Sequence, residues 1–243
     1  MADPKIDSYM AAVAESFADG KAEVKEALAL IAENVPTGRD AQAVQLLALR
    51  RYLRLGGKKV HTNWAWTAEQ AEQYLKQGTG KIVADEAAKV QANFAANNPG
   101  YTLAISPLRS LKSQVSLWNR NNVVQQAATK LLAEAVSELK KPQYPEQPGG
   151  ASVAKFSLFL NRAAVTPEPT SAAPGTSDHG QMRAVDFVVL QGRTVIASTD
   201  SSSIQLVWKD QGWEKKLIQA TRGTKLKGPL KSPYEPWHWR IEH

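Results

Sequence analysis

Along the first 55 residues, apolar side chains recur at spacings of three and four. Ile6, Tyr9, Met10, Val13 and Phe17 form one series, and Val24, Leu28 and Ile31 another, which is the pattern of amphipathic helices. Pro36 and Gly38 in "NVPTGRD" interrupt it, and a further helix is expected from Asp40 to Leu55. The punctuation "LGGKK" (55–59) marks the best boundary, giving a helical segment 1–55 of no assigned role and a second domain over 56–243.

Beyond it the texture changes. Thr67 with Gln70 three residues on is a capping-box signature, and Gly78 follows the expected last turn of that helix. Helices are expected over about 83–96 and over about 110–139, with "YTLAIS" (101–106) between them as a short buried strand. Residues 164–178, rich in Pro, Ser, Thr and Gly, read as loop. "RAVDFVVLQGRTVIAS" reads as two β-branched strands turning at Gln191-Gly192, and "GWEKKLIQATRG" as a short helix stopped by Gly223. The class is α+β, with helices around a small, mainly antiparallel sheet.

Composition narrows the chemistry. Among 243 residues, 43% are hydrophobic and 22% charged, enough for a substantial core, and no apolar run approaches the length of a membrane span. The start lacks a basic region followed by an apolar core, so no secretory signal is read there. The net charge of +7 suits an anionic partner, but the Lys and Arg are scattered, and charge alone assigns neither nucleic acid nor any other partner. With no cysteine and only four histidines, any metal must be held by His and carboxylate.

Two of those histidines lie in stretches that could form one site. "SDHGQMRAVDF" puts His179 in a loop and Asp186 seven residues later, at the start of a strand. "SPYEPWHWR" puts Glu235 three residues before His238, with Pro236 between them. An offset of three cannot share one face of a regular strand, and Pro236 forbids mid-helix, so a single helical turn or a bend must bring the two together. His179, Asp186 and His238 are then candidate zinc ligands, and Glu235 is the candidate general base. Each piece also has a plainer reading: Asp186 as a cap, His238 as a histidine satisfied beside core tryptophans.

The motifs resemble those of the D-Ala-D-Ala carboxypeptidase and dipeptidase family of zinc peptidases. Ser177, His179, Ala184 and Asp186 match its S-x-H-x-x-G-x-A-x-D signature, and "EPWHWR" is similar to its E-P-W-H-[WF]-R segment. "GYTLAISPLRSLKSQ" (100–114) is similar to its G-Y-x-L-x-I-x-x-x-x-R-S-x-x-x-Q segment. The likeness runs in order through roughly residues 95–243; residues 1–55 have no counterpart in it.

What the resemblance implies is a small antiparallel sheet flanked by helices with a zinc cleft, as in lysostaphin and hedgehog-type domains. His179, Asp186 and His238 take the positions of the zinc ligands, Glu235 that of the base, and Arg109 that of the arginine steadying the developing oxyanion. Ser177, Gln114 and Trp237 match or adjoin substrate-contacting positions, with core packing the alternative for Trp237. The implied reaction is hydrolysis of a peptide-stem amide of bacterial peptidoglycan. D-alanyl-D-alanine carboxypeptidase comes first and cleavage between L-Ala and an acidic D-residue second, by a phage lytic enzyme or a delivered effector. A zinc-containing binding module without catalysis is the rival from another class. The place of action would be the cell wall or periplasm, the partner a peptide stem, with no nucleic acid and no membrane span. Met182 departs from the signature, standing where the family has glycine. Arg183 is expected to face solvent, His61 to pack or lie at the surface, and His243 to fray.

Overall fold

The computed structural model describes residues 2–56, 60, 68–106, 110–169 and 171–242. Thr67, His61, Arg109 and His243, together with "GKK" of the expected boundary, lie outside the described residues. The chain divides into two compact units: residues 1–64 with 111–177, and residues 65–110 with 178–243. This grouping cuts across a boundary after residue 55, because the first three helices share their core with later ones.

Among the described residues the regular elements of the first unit are helices: α1 Pro4–Glu15, α2 Lys21–Glu33, α3 Ala41–Leu55, α6 Leu111–Arg120, α7 Asn122–Leu139 and α8 Gly150–Arg162. Asp3 and Asp40 cap α1 and α3, each accepting backbone N–H groups of the first turn. Helix α3 is buried on nearly every side, from Gln42 to Tyr52, as expected of a helix that neighbours surround. It packs mainly on α7, α2 and α8. Tyr9, Tyr144 and Phe156 meet edge to face across α1 and α8, with ring centroids 5.3 to 6.3 Å apart. The stretch expected as one helix over 110–139 is two. Asn121 interrupts it, its side chain accepting from the N–H groups of Val123 and Val124, and so caps α7.

The second unit holds α4 Ala68–Tyr74, α5 Gly78–Asn97, β1 Thr102–Ile105, β2 Ala184–Gln191, β3 Thr194–Ala197, a π-helical segment Ile204–Lys209, and α9 Trp213–Ala220. The short strands β4 Leu226–Lys227, β5 Leu230–Lys231, β6 Tyr234–Glu235 and β7 His238–Ile241 follow. The class is α+β, with a curled, antiparallel sheet flanked by helices. Strand β2 is its centre: β1 lies along one edge, while β7 takes the first half of the other edge and β3 the second half. Val185, Phe187 and Val189 of β2 point to a core completed by Val83, Ala87, Val90 and Phe94 of α5 and by Trp213 and Leu217 of α9. Helix α5 begins five residues earlier than the periodicity suggests. Among the described residues no helix is long and apolar enough to cross a membrane.

Candidate metal centre

Strand alternation determines which side chains can meet. Val185, Phe187 and Val189 fill the core, so Asp186 between them must point to the opposite face. Strands β2 and β7 pair antiparallel with Asp186 directly opposite His238, Val185 opposite Trp239, and Ala184 opposite Arg240. His238 and Arg240 therefore share the face of Asp186, while Trp239 joins Val185 in the core. The β2–β7 pairing continues one step further through the Phe187 N–H, which donates to the Trp237 carbonyl at 3.0 Å.

His179 reaches this face from the turn before β2. The Met182 N–H donates to the His179 carbonyl at 3.0 Å, and the Arg183 N–H to that of Asp178 at 2.9 Å. Arg183 in turn accepts from the Ile241 N–H at 2.9 Å, which ties the turn to β7. Met182 has φ of 52°, a left-handed conformation that favours glycine. The backbone there favours glycine, and this chain places a buried methionine at it.

Three ligand atoms converge. His179 Nε2 lies 3.1 Å from His238 Nδ1 and 3.2 Å from Asp186 Oδ1, and His238 Nδ1 lies 3.1 Å from the same oxygen. The two rings stand nearly perpendicular, at 79°, so their nitrogens point inward from different directions. The side chains of Asp186, His238 and His179 are 6%, 7% and 12% exposed. Donor atoms on an ion held tetrahedrally by bonds of 2.0–2.1 Å stand about 3.3–3.4 Å apart, close to this triangle. A proton shared within the triangle serves one pair at a time, whereas a cation over its centre serves all three lone pairs. The donor set, two imidazoles and one carboxylate, could hold a metal ion. Burial works against ionisation of Asp186, but hydrogen bonds from His179 and His238 outweigh it and hold the carboxyl well below its ordinary range.

Glu235 stands beside this triangle. Its Oε2 lies 3.8 Å from His238 Nδ1, and its side chain is half-buried. Of the two geometries open to the Glu-Pro-Trp-His stretch, the chain takes the bend: Glu235 ends β6, His238 starts β7, and Pro236-Trp237 form the turn between them. Trp237 does not join the triad's face. Its indole is 4% exposed and packs in the hydrophobic core, with its ring centroid 6.0 Å from that of Trp208. Of its two readings, pocket wall and core packing, these contacts are those of core packing.

The triad is built wholly from the sheet unit, whereas Ser177 and Gln114 belong to the helical one. Both are buried, and Gln114 donates to the Ala172 carbonyl at 2.8 Å. Arg109 is outside the described residues. Arg240, to which the sequence reading gave no role, shares the triad's face and donates to Asp178 Oδ2 at 3.1 Å. The i, i+2 spacing from His238 was the signal for it. Arg183, expected to face solvent, donates to Gln181 Oε1 at 3.3 Å.

Comparison of the chain with protein-family models, with curated proteins and with solved structures finds no match in any of the three.

Proposed function

We propose that the chain is a zinc-dependent hydrolase acting on peptide-stem amides of bacterial peptidoglycan, with D-alanyl-D-alanine carboxypeptidase as the first reaction. The observation that carries this reading is the convergence of His179, Asp186 and His238 within 3.1–3.2 Å, with the Glu235 carboxylate 3.8 Å from one of the ligand atoms. A structural site has no use for a carboxylate poised at its margin. A hydrolytic one needs such a group to move a proton.

A divalent ion held by the triad supplies Lewis acidity toward a carbonyl and toward water. Glu235 takes the proton of the attacking water and returns it to the departing amine. Asp186, ionised, would supply the one negative charge of the donor set beside the two neutral imidazoles. Arg109, by its motif position, is assigned to the growing negative charge on the carbonyl oxygen. The choice of peptide bond rests on the motif resemblance in residues 95–243.

The test is incubation with purified cell-wall peptides, with and without chelator, followed by mass analysis of products. Metal-dependent loss of one D-Ala supports the carboxypeptidase, and an internal cut supports the endopeptidase alternative. Absence of any metal-dependent product overturns both and leaves a binding module. Glu235→Gln is expected to retain metal while losing about 10²–10⁴-fold in rate.

A further inference from the structure

A cavity of about 260 Å³ opens in the helical unit, where α3 and α8 end. Arg50, Arg54, Asn161, Arg162 and Glu168 line it. Three guanidinium charges against the single Glu168 carboxylate leave two positive charges around one polar hollow. Arg50 is the deepest of the three, only 7% exposed. Its Nε and Nη2 donate to the Ala163 carbonyl, the C-cap of α8, at 3.2 and 2.6 Å.

That capping contact accounts for Arg50 but not for the cluster. Arg54 and Arg162 complement the C-terminal dipoles of their own helices. Both are solvent-exposed, and both border the cavity that Arg50 lines. Among the described residues no carboxylate forms an ion pair with any of the three. Burial, and after it the like charge of Arg54, hold the Arg50 guanidinium below its ordinary range, while Glu168 only partly offsets them. A buried cation without a matching anion is costly, and like charges gathered beside it add to the cost. An oxyanion in the hollow removes both penalties at once.

We propose that this cavity is a phosphate site, binding a free phosphate dianion or a phosphomonoester through Arg50, Arg54 and Arg162. Phosphate fits the charge: two negative charges meet the net two positive ones. It also fits the donors, because planar guanidinium forks bind phosphate oxygens in pairs. The site is independent of the metal triad, which belongs to the other unit.

Inorganic phosphate, titrated into the full chain at constant ionic strength, tests it by calorimetry and thermal unfolding. Saturable binding that raises the Tm is expected, with chloride giving no such rise. The double variant Arg54→Gln/Arg162→Gln spares the Arg50 cap and should bind phosphate at least about tenfold more weakly, the scale of losing charge-assisted hydrogen bonds. Glu168→Gln should bind it more tightly. His179→Ala should bind it as the parent does, which separates this site from phosphate captured by a metal. Glycerol 3-phosphate competing with inorganic phosphate would extend the site to monoesters; failure to compete would confine it to the free ion. An unchanged Kd in the double variant, or a rise that chloride reproduces, overturns the proposal.

Discussion

Asp186 and His238 face each other across adjacent antiparallel strands, and Asp186 Oδ1 lies 3.1 Å from His238 Nδ1. Their register is fixed by the flanking pair Val185–Trp239, which is buried in the core on the opposite face. A slip of β7 by one residue would turn His238 into the apolar interior, away from Asp186. Hydrophobic packing on one side thus dictates ligand geometry on the other.

That relationship predicts one zinc ion per chain, lost on substitution of a ligand. Elemental analysis after dialysis should find close to one equivalent in the parent and almost none in His238→Ala or Asp186→Ala. Zinc at 100 times its Kd should stabilise the parent by about 2.7 kcal/mol, read as a rise in Tm, because the ion binds only the folded chain. Neither variant should respond.

Met182 offers a contest between two effects. Glycine there would relieve a left-handed strain of about 1–2 kcal/mol. It would also delete a buried side chain, a loss of about 2–5 kcal/mol. The cavity wins, so Met182→Gly should lower stability by roughly 1–3 kcal/mol in urea unfolding, although it restores the signature residue. A gain in stability would show that the methionine is poorly packed.

Glu86 sets an acid-side dependence. Its Oε1 accepts from Lys89 Nζ at 2.7 Å and its Oε2 from the Lys225 N–H at 2.8 Å, so α5 is tied to the segment leading into β4. The Lys89 contact, then the Lys225 N–H, hold its carboxyl below the ordinary value. A depressed folded-state pKa gives stability that is complete above the unfolded value of about 4.3 and is lost as pH falls through the folded one. Glu86→Gln should therefore be less stable than the parent near neutral pH, with the difference shrinking below about pH 4. Unfolding midpoints measured across that range check it.

Removal of residues 1–55 should unfold the helical unit. It would take away α3, on which α7 and α8 pack, and Tyr9, which meets Tyr144 and Phe156. The remaining chain should lose helix by circular dichroism beyond the share of α1–α3 themselves, and should expose tryptophan 118, whose indole N–H points to the Val44 carbonyl.

Much of this was readable from pattern. The amphipathic series placed α1, α2 and α3, and the Gln191-Gly192 turn placed the β2–β3 hairpin. His179 and Asp186 could be paired because a loop followed by a strand leaves few ways to orient them. Less readable were features that depend on distant partners. Helix α8 drew no expectation, since its apolar positions Val153, Phe156 and Leu160 sit just after a Pro/Gly-rich stretch that suggested loop. Asn121 was invisible as a break because an asparagine within an apolar rhythm is ordinary until its side chain is seen capping. Trp237 could be given its inward orientation only once Trp208, 29 positions earlier, was known to lie beneath it.

The helical unit draws its residues from both sides of 65–110, and this governs the order in which a nascent chain can mature. As the ribosome releases α1, α2 and α3, the surfaces of α3 that α7 and α8 cover are still bare, and they stay so while the first half of the sheet unit emerges. Only after α8 can the bundle close, and only with His238 do the three ligands exist together. Helper proteins that shield apolar surface during synthesis would find their opening over α1 and α3.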